Sequence, residues 1–270
     1  MSSLIDIHTI ALAEIKKRFT LNPVRLKFPF PERSRRALGL VRVDGEVYSS
    51  EQFSRVVFMK IDLPVYMCVR STFLRPRIEL DLPVFSCEAV IMGKKRMFIA
   101  DIHRAGGEGV HDDSALFNQM LRIRSRYPSL TQKAQTVKGE IQSVFSPAAV
   151  QARIIEAQDE DALGVFREYL NLFLDLTQNA TPLSGVALDQ AKANFEKYLQ
   201  TVVDHDPGVK GYKMLFGKES GVIRALGGDT VVLKVPTDVA DRAQCERLVE
   251  RTVAAFGRID ALVNSAYVPG

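Results

Sequence analysis

Apolar residues at Leu4, Ile7, Ile10, Ala11 and Ile15, with polar residues between them and a basic end at Lys16-Lys17-Arg18, recur near a helical period. This spacing predicts an N-terminal helix over 4–19, whose basic last turn suits the helix dipole. From Val24 to Ile102 the texture changes to short runs rich in β-branched and aromatic residues, VRLKFPF, LGLVRV, EVYSS, FSRVVFMKI, VYMCVRSTF, VFSCEAVIM and RMFIADI, separated by turn residues. They follow one another without a helix-length crossover, so the sheet is expected to be mainly antiparallel. Asp44-Gly45, flanked by Val41-Arg42-Val43 and Glu46-Val47-Tyr48, is the strongest local hairpin signal.

Beyond Asp101, the segment IHRAGGEGVHDDS reads as a glycine-rich loop; its glycines do not form the Gly-x-Gly-x-x-Gly turn of a dinucleotide site. Helical patterning then dominates, over 114–126, over 159–176 and over 187–203, where Leu188, Ala191, Phe195, Tyr198, Leu199 and Val202 share one side. Helices at the start and in the second half around a central sheet predict an α+β fold, a three-layer α/β/α sandwich with a mainly antiparallel sheet. At about Gly221 the texture shifts to helix end, strand, helix and strand, a parallel α/β rhythm foreign to what precedes it. The expected division is therefore 1–220 and 221–270.

Composition narrows the class. The 270 residues are 46% apolar, enough for a sizeable buried core, and no apolar run approaches the roughly 20 residues of a bilayer crossing. The amphipathic opening is unlike a secretory signal, so a cytoplasmic protein is expected. Cys68, Cys87 and Cys245 are too few and too dispersed for a disulfide framework and read as small buried hydrophobes. His8, His103, His111 and His205 lack the spacing of a helical metal site, so no bound metal is expected. Charge is uneven: residues 1–150 carry 23 Lys and Arg against 15 Asp and Glu, and residues 151–270 carry 13 against 17. Such a basic front attracts anionic substrates or acidic partners, and no aromatic interleaving favours nucleic acid.

Two stretches carry candidate chemistry. Glu88 lies in the apolar run LPVFSCEAVIM, in phase with Ser86 and opposite to Cys87 and Ala89, so it faces either solvent or a polar cavity. A carboxyl in a partly apolar cavity has its proton affinity raised, the condition for giving up a proton near neutral pH. Asp206 follows a predicted helix, and Pro207 ends that helix and biases Asp206 toward extended geometry. It serves either as a reactive group on a loop or as the cap of the next helix.

At these residues the chain resembles the ferredoxin-dependent bilin reductases, over about 20–219. Leu82-Pro83-Val84-Phe85-Ser86-Cys87-Glu88 matches a segment that reads Leu-Pro-Leu-Phe-Gly-Cys-Asp in one member. Ile99-Ala100-Asp101 closes the next strand, Val144-Phe145-Ser146 matches Ile-Phe-Ser, and Asp206 stands ten residues before Phe216-Gly217, all in the same order and at similar spacing. The resemblance implies reduction of a biliverdin-type linear tetrapyrrole lying between sheet and C-terminal helices. Electrons would arrive singly from a reduced 2Fe-2S ferredoxin docked on the basic face, with no flavin, nicotinamide or metal bound and with a monomeric enzyme. It places Glu88 and Asp206 as the catalytic proton donors and Ser71 as a substrate contact. Cations for the substrate propionates are expected among Arg70, Arg75 and Arg96, with Arg96 preferred because its strand leads to Asp101.

Two departures from the family's pattern bear on outcome. Ser71 replaces the histidine or asparagine found in other members, which leaves the reduced double bond open. Glu88 is one methylene longer than the usual aspartate and moves the carboxyl by more than ~1 Å, enough to affect proton delivery. Residues 221–270 resemble the middle of a short-chain dehydrogenase/reductase, in Pro236-Thr237-Asp238-Val239 and in Phe256-Gly257-Arg258-Ile259-Asp260-Ala261-Leu262-Val263-Asn264. Without a phosphate-binding turn or a Tyr-x-x-x-Lys pair, this segment is expected to be non-functional. The alternative functions are a reductase of red chlorophyll catabolite and a catalytically silent bilin-binding protein.

Overall fold

A computed structural model of the chain describes residues 3–25, 32–33, 39–63, 66–103, 114–131, 138–208 and 241–256. The chain divides into two compact units, residues 1–226 and 227–270, each taken by itself.

In the first unit a short turn, Leu4–Asp6, leads into helix α1, Ile7–Lys16. Its entry is held by reciprocal bonds, since Asp6 accepts from the Ser3 backbone at 3.0 Å and the Ser3 hydroxyl accepts from Ile5 at 3.5 Å. The apolar stripe Leu4, Ile7, Ala11 and Ile15 is fully buried, against α3, Asp159–Gln178, and the central strands.

The sheet comprises β1 Asn22–Pro23, β2 Glu32–Arg33, β3 Arg42–Ser49, β4 Phe53–Leu63, β5 Met67–Pro76, β6 Val84–Met92, β7 Lys95–His103 and β8 Val150–Ile155. Its order is β1-β3-β4-β5-β6-β7-β8, with β2 also on β3, and every described pairing is antiparallel. From β3 to β7 this is the order of successive hairpins.

One expectation for the sheet changes. Asp44-Gly45 is not a hairpin turn but the interior of β3, where Gly45 pairs with Met59 of β4. The turn falls instead at Ser50, whose hydroxyl accepts from Gln52 and Phe53 at 3.1 and 3.0 Å. A long partner strand outweighs the local Asp-Gly preference. Gly45 remains useful there, because a Cβ at that position would sit 3.0 Å from the Phe58 carbonyl oxygen. β8, a run the sequence reading did not single out, gains strand structure by pairing with β7.

Helices cover both faces, giving the three-layer sandwich. On one face α3 sets Leu163, Phe166, Tyr169, Leu170, Phe173 and Leu174 against Val56, Leu74, Phe85, Cys87, Phe98 and Ile102, all fully buried. Phe85 meets the rings of Phe166 and Phe173 at centroid distances of 6.0 and 5.7 Å. Helix α2, Ser114–Ser125, joins this layer. The Tyr169 hydroxyl bridges the carbonyls of Met120 and Ala148 at 3.2 and 2.7 Å.

On the other face lie α4, Gly185–His205, and a 3-10 turn, Glu140–Val144. They close one end through a smaller cluster of Val84, Ile141, Val144 and Tyr198. The segment after that turn is pinned to β7 by Asp101, which accepts from the Ser146 backbone at 2.8 Å and from its hydroxyl.

Of the cysteines only Cys87 is buried; Cys68 and Cys245 are half-exposed, contrary to the reading of all three as core residues. In the second unit the expected helix spans α5, Arg242–Phe256, started by Asp241, whose carboxylate accepts from Ala243 at 2.9 Å and Gln244 at 3.2 Å. The strands expected in that tail, Phe216-Gly217 and the glycine-rich segment over 104–113 lie outside the described residues. Among the described residues no helix is long and apolar enough to cross a membrane.

Candidate active site

Strand alternation generates the site. Along β6, Cys87 and Ala89 point into the closed core, so Ser86 and Glu88 point to the opposite face. Antiparallel register places Ser71 of β5 and Ile99 of β7 on either side of Glu88. Above this row the α4 positions Phe195, Tyr198, Leu199 and Val202 recur at helical spacing, and Asp206 follows at the end of the helix. Between sheet and helix is a cavity of about 250 Å³, close to the lower end of small-molecule sites. Its wall is mainly apolar, and Glu88, Asp206, Ser86, His103, Tyr198, Arg55 and Arg75 carry its polar side chains.

Glu88 is the central group. Its Oε2 accepts the Ser71 hydroxyl at 3.0 Å. Burial pushes its pKa up to about 7, the charge of Asp206 pushes it the same way, and the Ser71 hydrogen bond opposes them. A carboxyl in this state holds a proton near neutral pH and can give it up. Asp206 ends α4 in extended conformation, with its backbone N–H on Val202 at 3.0 Å. Its Oδ1 accepts the Gly208 N–H at 2.7 Å, so it fills the capping position as well as lining the cavity.

The structure thus brings Glu88 and Asp206 to one cavity and attaches Ser71 to it through Glu88. Arg96 it does not. Strand parity sends that side chain to the closed face, where Nε lies 3.2 Å from Asp159 Oδ1 and both side chains are more than nine-tenths buried. Arg96 sits in a buried ion pair and is not among the residues that line the cavity. Arg70 is likewise occupied, by Asp62 at 2.8 Å. The cations on the cavity wall are Arg55 and Arg75; Arg75 donates from Nε to Ser54 at 2.8 Å and lies 5.5 Å over the Phe195 ring.

Sequence reasoning missed His103 and Tyr198 as site residues. His103 Nδ1 is 2.8 Å from the Tyr198 hydroxyl, which joins the end of β7 to α4. Burial presses the His103 pKa down to about 4, so the ring is neutral at pH 7. Burial and then the charges of Asp206 and Asp101 raise that of Tyr198. His103 shares the parity of Met97 and Ile99, a signal present in the sequence, but only the register shows that this parity faces a cavity. Tyr198 read as an ordinary member of an apolar helical stripe.

The basic clusters are partly spent within the fold. Arg18 pairs with Asp175, and Arg126 with Glu168. Arg124 donates to the carbonyls of Pro147 and Ala149. Lys16, Lys94, Lys95, Arg122 and Arg153 stay exposed. Among the described residues no group of three or more His, Cys, Asp or Glu side chains could hold a metal ion.

Comparison with known proteins bears on this geometry. A family profile described as ferredoxin-dependent bilin reductase matches residues 8–221. Phycoerythrobilin:ferredoxin oxidoreductase of Prochlorococcus marinus strain NATL2A is 24% identical over 156 residues, covering 56% of this chain and 60% of that protein. Its namesake from P. marinus subsp. pastoris is 25% identical over 174 residues, 62% of this chain and 66% of that one. The match therefore spans less than two thirds of the length of these relatives. Among solved structures, phytochromobilin synthase from tomato in complex with biliverdin superposes with a TM-score of 0.73, covering 86% of both chains at 19% identity, a likeness of fold. The comparisons do not support the resemblance of residues 221–270 to a short-chain dehydrogenase/reductase.

Proposed function

The chain belongs to the ferredoxin-dependent bilin reductase family, and we propose that it reduces a biliverdin-type linear tetrapyrrole with electrons from reduced ferredoxin. The observation that supports this reading is the pair of carboxyl groups, from β6 and from the end of α4, that line one cavity, where the charge of Asp206 adds to the burial that raises the pKa of Glu88.

Adding two hydrogens across one double bond takes two electrons and two protons. A 2Fe-2S ferredoxin supplies electrons one at a time, so each electron is matched by a proton and the pigment passes through a radical. Glu88, whose pKa burial raises to about 7, delivers a proton from the sheet side. Asp206 serves the helix side, and solvent returns both protons. The mainly apolar walls keep water from the half-reduced pigment. Arg55 and Arg75 hold the propionates; Arg75 is one of the three sequence candidates, behind the preferred Arg96. Ser71 steadies Glu88 instead of reaching the pigment with a ring or an amide. Ferredoxins are acidic, so the exposed lysines and arginines steer the encounter, and its rate falls with added salt. The enzyme acts as a monomer, and the tail beyond residue 220 takes no part in the chemistry.

The test is anaerobic incubation of the full chain with biliverdin and reduced ferredoxin, followed by absorbance and chromatography of the product. Formation of a reduced bilin with transient coloured intermediates is expected, and Glu88→Gln together with Asp206→Asn should stop it. A stable absorbance shift without bleaching would identify a silent pigment binder, and turnover undiminished in both variants would remove their assigned roles.

A further inference from the structure

The cavity has a polar feature that proton delivery by Glu88 and Asp206 does not use. His103 is more than nine-tenths buried; its Nδ1 faces the Tyr198 hydroxyl at 2.8 Å, and its Nε2 is buried without any partner. A neutral imidazole carries a single hydrogen, so the contact has two forms. If the phenol donates to Nδ1, the hydrogen of the ring is on Nε2, and a buried N–H is left without an acceptor. If Nδ1–H donates to the phenol oxygen, Nε2 keeps only a lone pair, and the phenol hydrogen is free. Each form leaves one buried donor unmatched, the ring N–H in the first and the phenol O–H in the second, and the second is the form that offers the Tyr198 O–H to an acceptor in the cavity that both residues line.

The consequence lies on α4. Tyr198 is one of the helix positions on the cavity wall, in the stripe that runs from Phe195 to Asp206. In that form the oxygen accepts from His103, the hydroxyl has one hydrogen to place, and burial, then the negative charges of Asp206 and Asp101, keep that hydrogen on the oxygen. A neutral donor in a mostly apolar wall suits a neutral acceptor, because carboxylates are better served by Arg55 and Arg75 on the same cavity. In a linear tetrapyrrole the neutral acceptors are the lactam carbonyls of the terminal rings.

We infer that Tyr198 donates a hydrogen bond from α4 to a lactam carbonyl of the bound pigment, and that His103 is the positioning residue that turns the phenol toward it. This deepens the bilin reading and rests on it. No covalent bond changes in this contact; Tyr198 anchors a terminal ring of the pigment beneath α4.

The experiment is a biliverdin titration of the full chain without reductant, followed by absorbance, with wild type beside Tyr198→Phe, His103→Leu and His103→Gln. The phenylalanine variant keeps the ring and removes only the donor. About tenfold weaker binding and a displaced absorption band are expected for Tyr198→Phe. His103→Leu should move both readings the same way by less, and His103→Gln, whose amide N–H can still donate to the phenol, should restore them. An unchanged affinity and band position in Tyr198→Phe overturns the inference alone. Absence of any pigment binding by folded wild type overturns the bilin reading and this inference with it. A ring-nitrogen NMR spectrum of His103 that places the proton on Nε2 overturns the positioning role without reference to pigment.

Discussion

The two faces of the sheet are made from the same strands and differ in nearly everything else. Facing α1 and α3, Phe85, Cys87, Phe98 and Ile102 are fully buried among aromatic and aliphatic side chains. Facing α4, their sequence neighbours Ser86, Glu88, Ile99 and His103 line a cavity. Adjacent residues serve opposite purposes because successive side chains leave a strand on opposite sides. The closed face stabilises the sheet by burying apolar area, and that rigidity lets the open face hold a carboxyl whose desolvation opposes folding. Even the two faces' histidines follow the contrast. His8 donates from α1 to the Ser71 carbonyl at 3.1 Å, beneath the residue whose hydroxyl holds Glu88 above, while His103 turns to the cavity wall.

The contrast breaks most sharply on the closed face. Phe85→Ala opens a void among Phe166, Phe173 and the sheet and should cost about 3–5 kcal/mol in a denaturant titration. Arg96→Ala leaves Asp159 charged and unpaired in a buried setting and should cost about 3–5 kcal/mol. The turnover of the folded fraction should stay at the wild-type value, and a selective loss of turnover would return Arg96 to the site. On the open face the signs reverse. Glu88→Gln should lower the rate of the proposed bilin reduction at least about a hundredfold. Its stability at pH 8 should equal or exceed that of wild type, since a desolvated carboxylate has been removed.

Acid titration sets the faces against each other. His8 and His103 have pKa values lowered by burial to about 4, below the ordinary 6.5. The unfolded chain therefore binds more protons between those values, and stability is lost as pH falls from about 6.5 to 4. Glu88 is raised from 4.5 to about 7, so the folded chain binds more protons there and stability falls as pH rises through that window. Two histidines against one glutamate leave a net gain of stability with rising pH, worth about one proton in slope. Glu88→Gln should steepen it, and a flatter curve in that variant would mean that Glu88 does not titrate as described. The smallest effect belongs to Ser71→Ala. Loss of the hydroxyl that favours the charged carboxylate raises the Glu88 pKa further, so turnover should persist to higher pH by roughly half a unit.

Much of this was legible in the chain. The amphipathic spacing of Leu4 to Ile15 gives α1, and the apolar runs over 53–61, 84–92 and 96–102 are strands because each can bury one or both faces. Asp44-Gly45 misled because a two-residue preference is weak beside a paired ladder. VQARII lacked a local signal because β8 draws its strand character from its partner β7.

Composition and periodicity alone determined an antiparallel sheet between helical layers, and an acidic residue in an apolar strand with parity opposite to its core neighbours. They could say that Glu88 avoids the core, but not what it meets. Only the tertiary structure decided that, because register and helix placement are long-range. Ser71 stands opposite Glu88 because two hairpin strands align. Asp206 faces the same cavity because α4 packs across the sheet. Arg96 falls on the closed face by a difference of one residue in phase, while the same geometry sets Arg75, a sequence candidate, and Arg55, His103 and Tyr198 on the cavity wall.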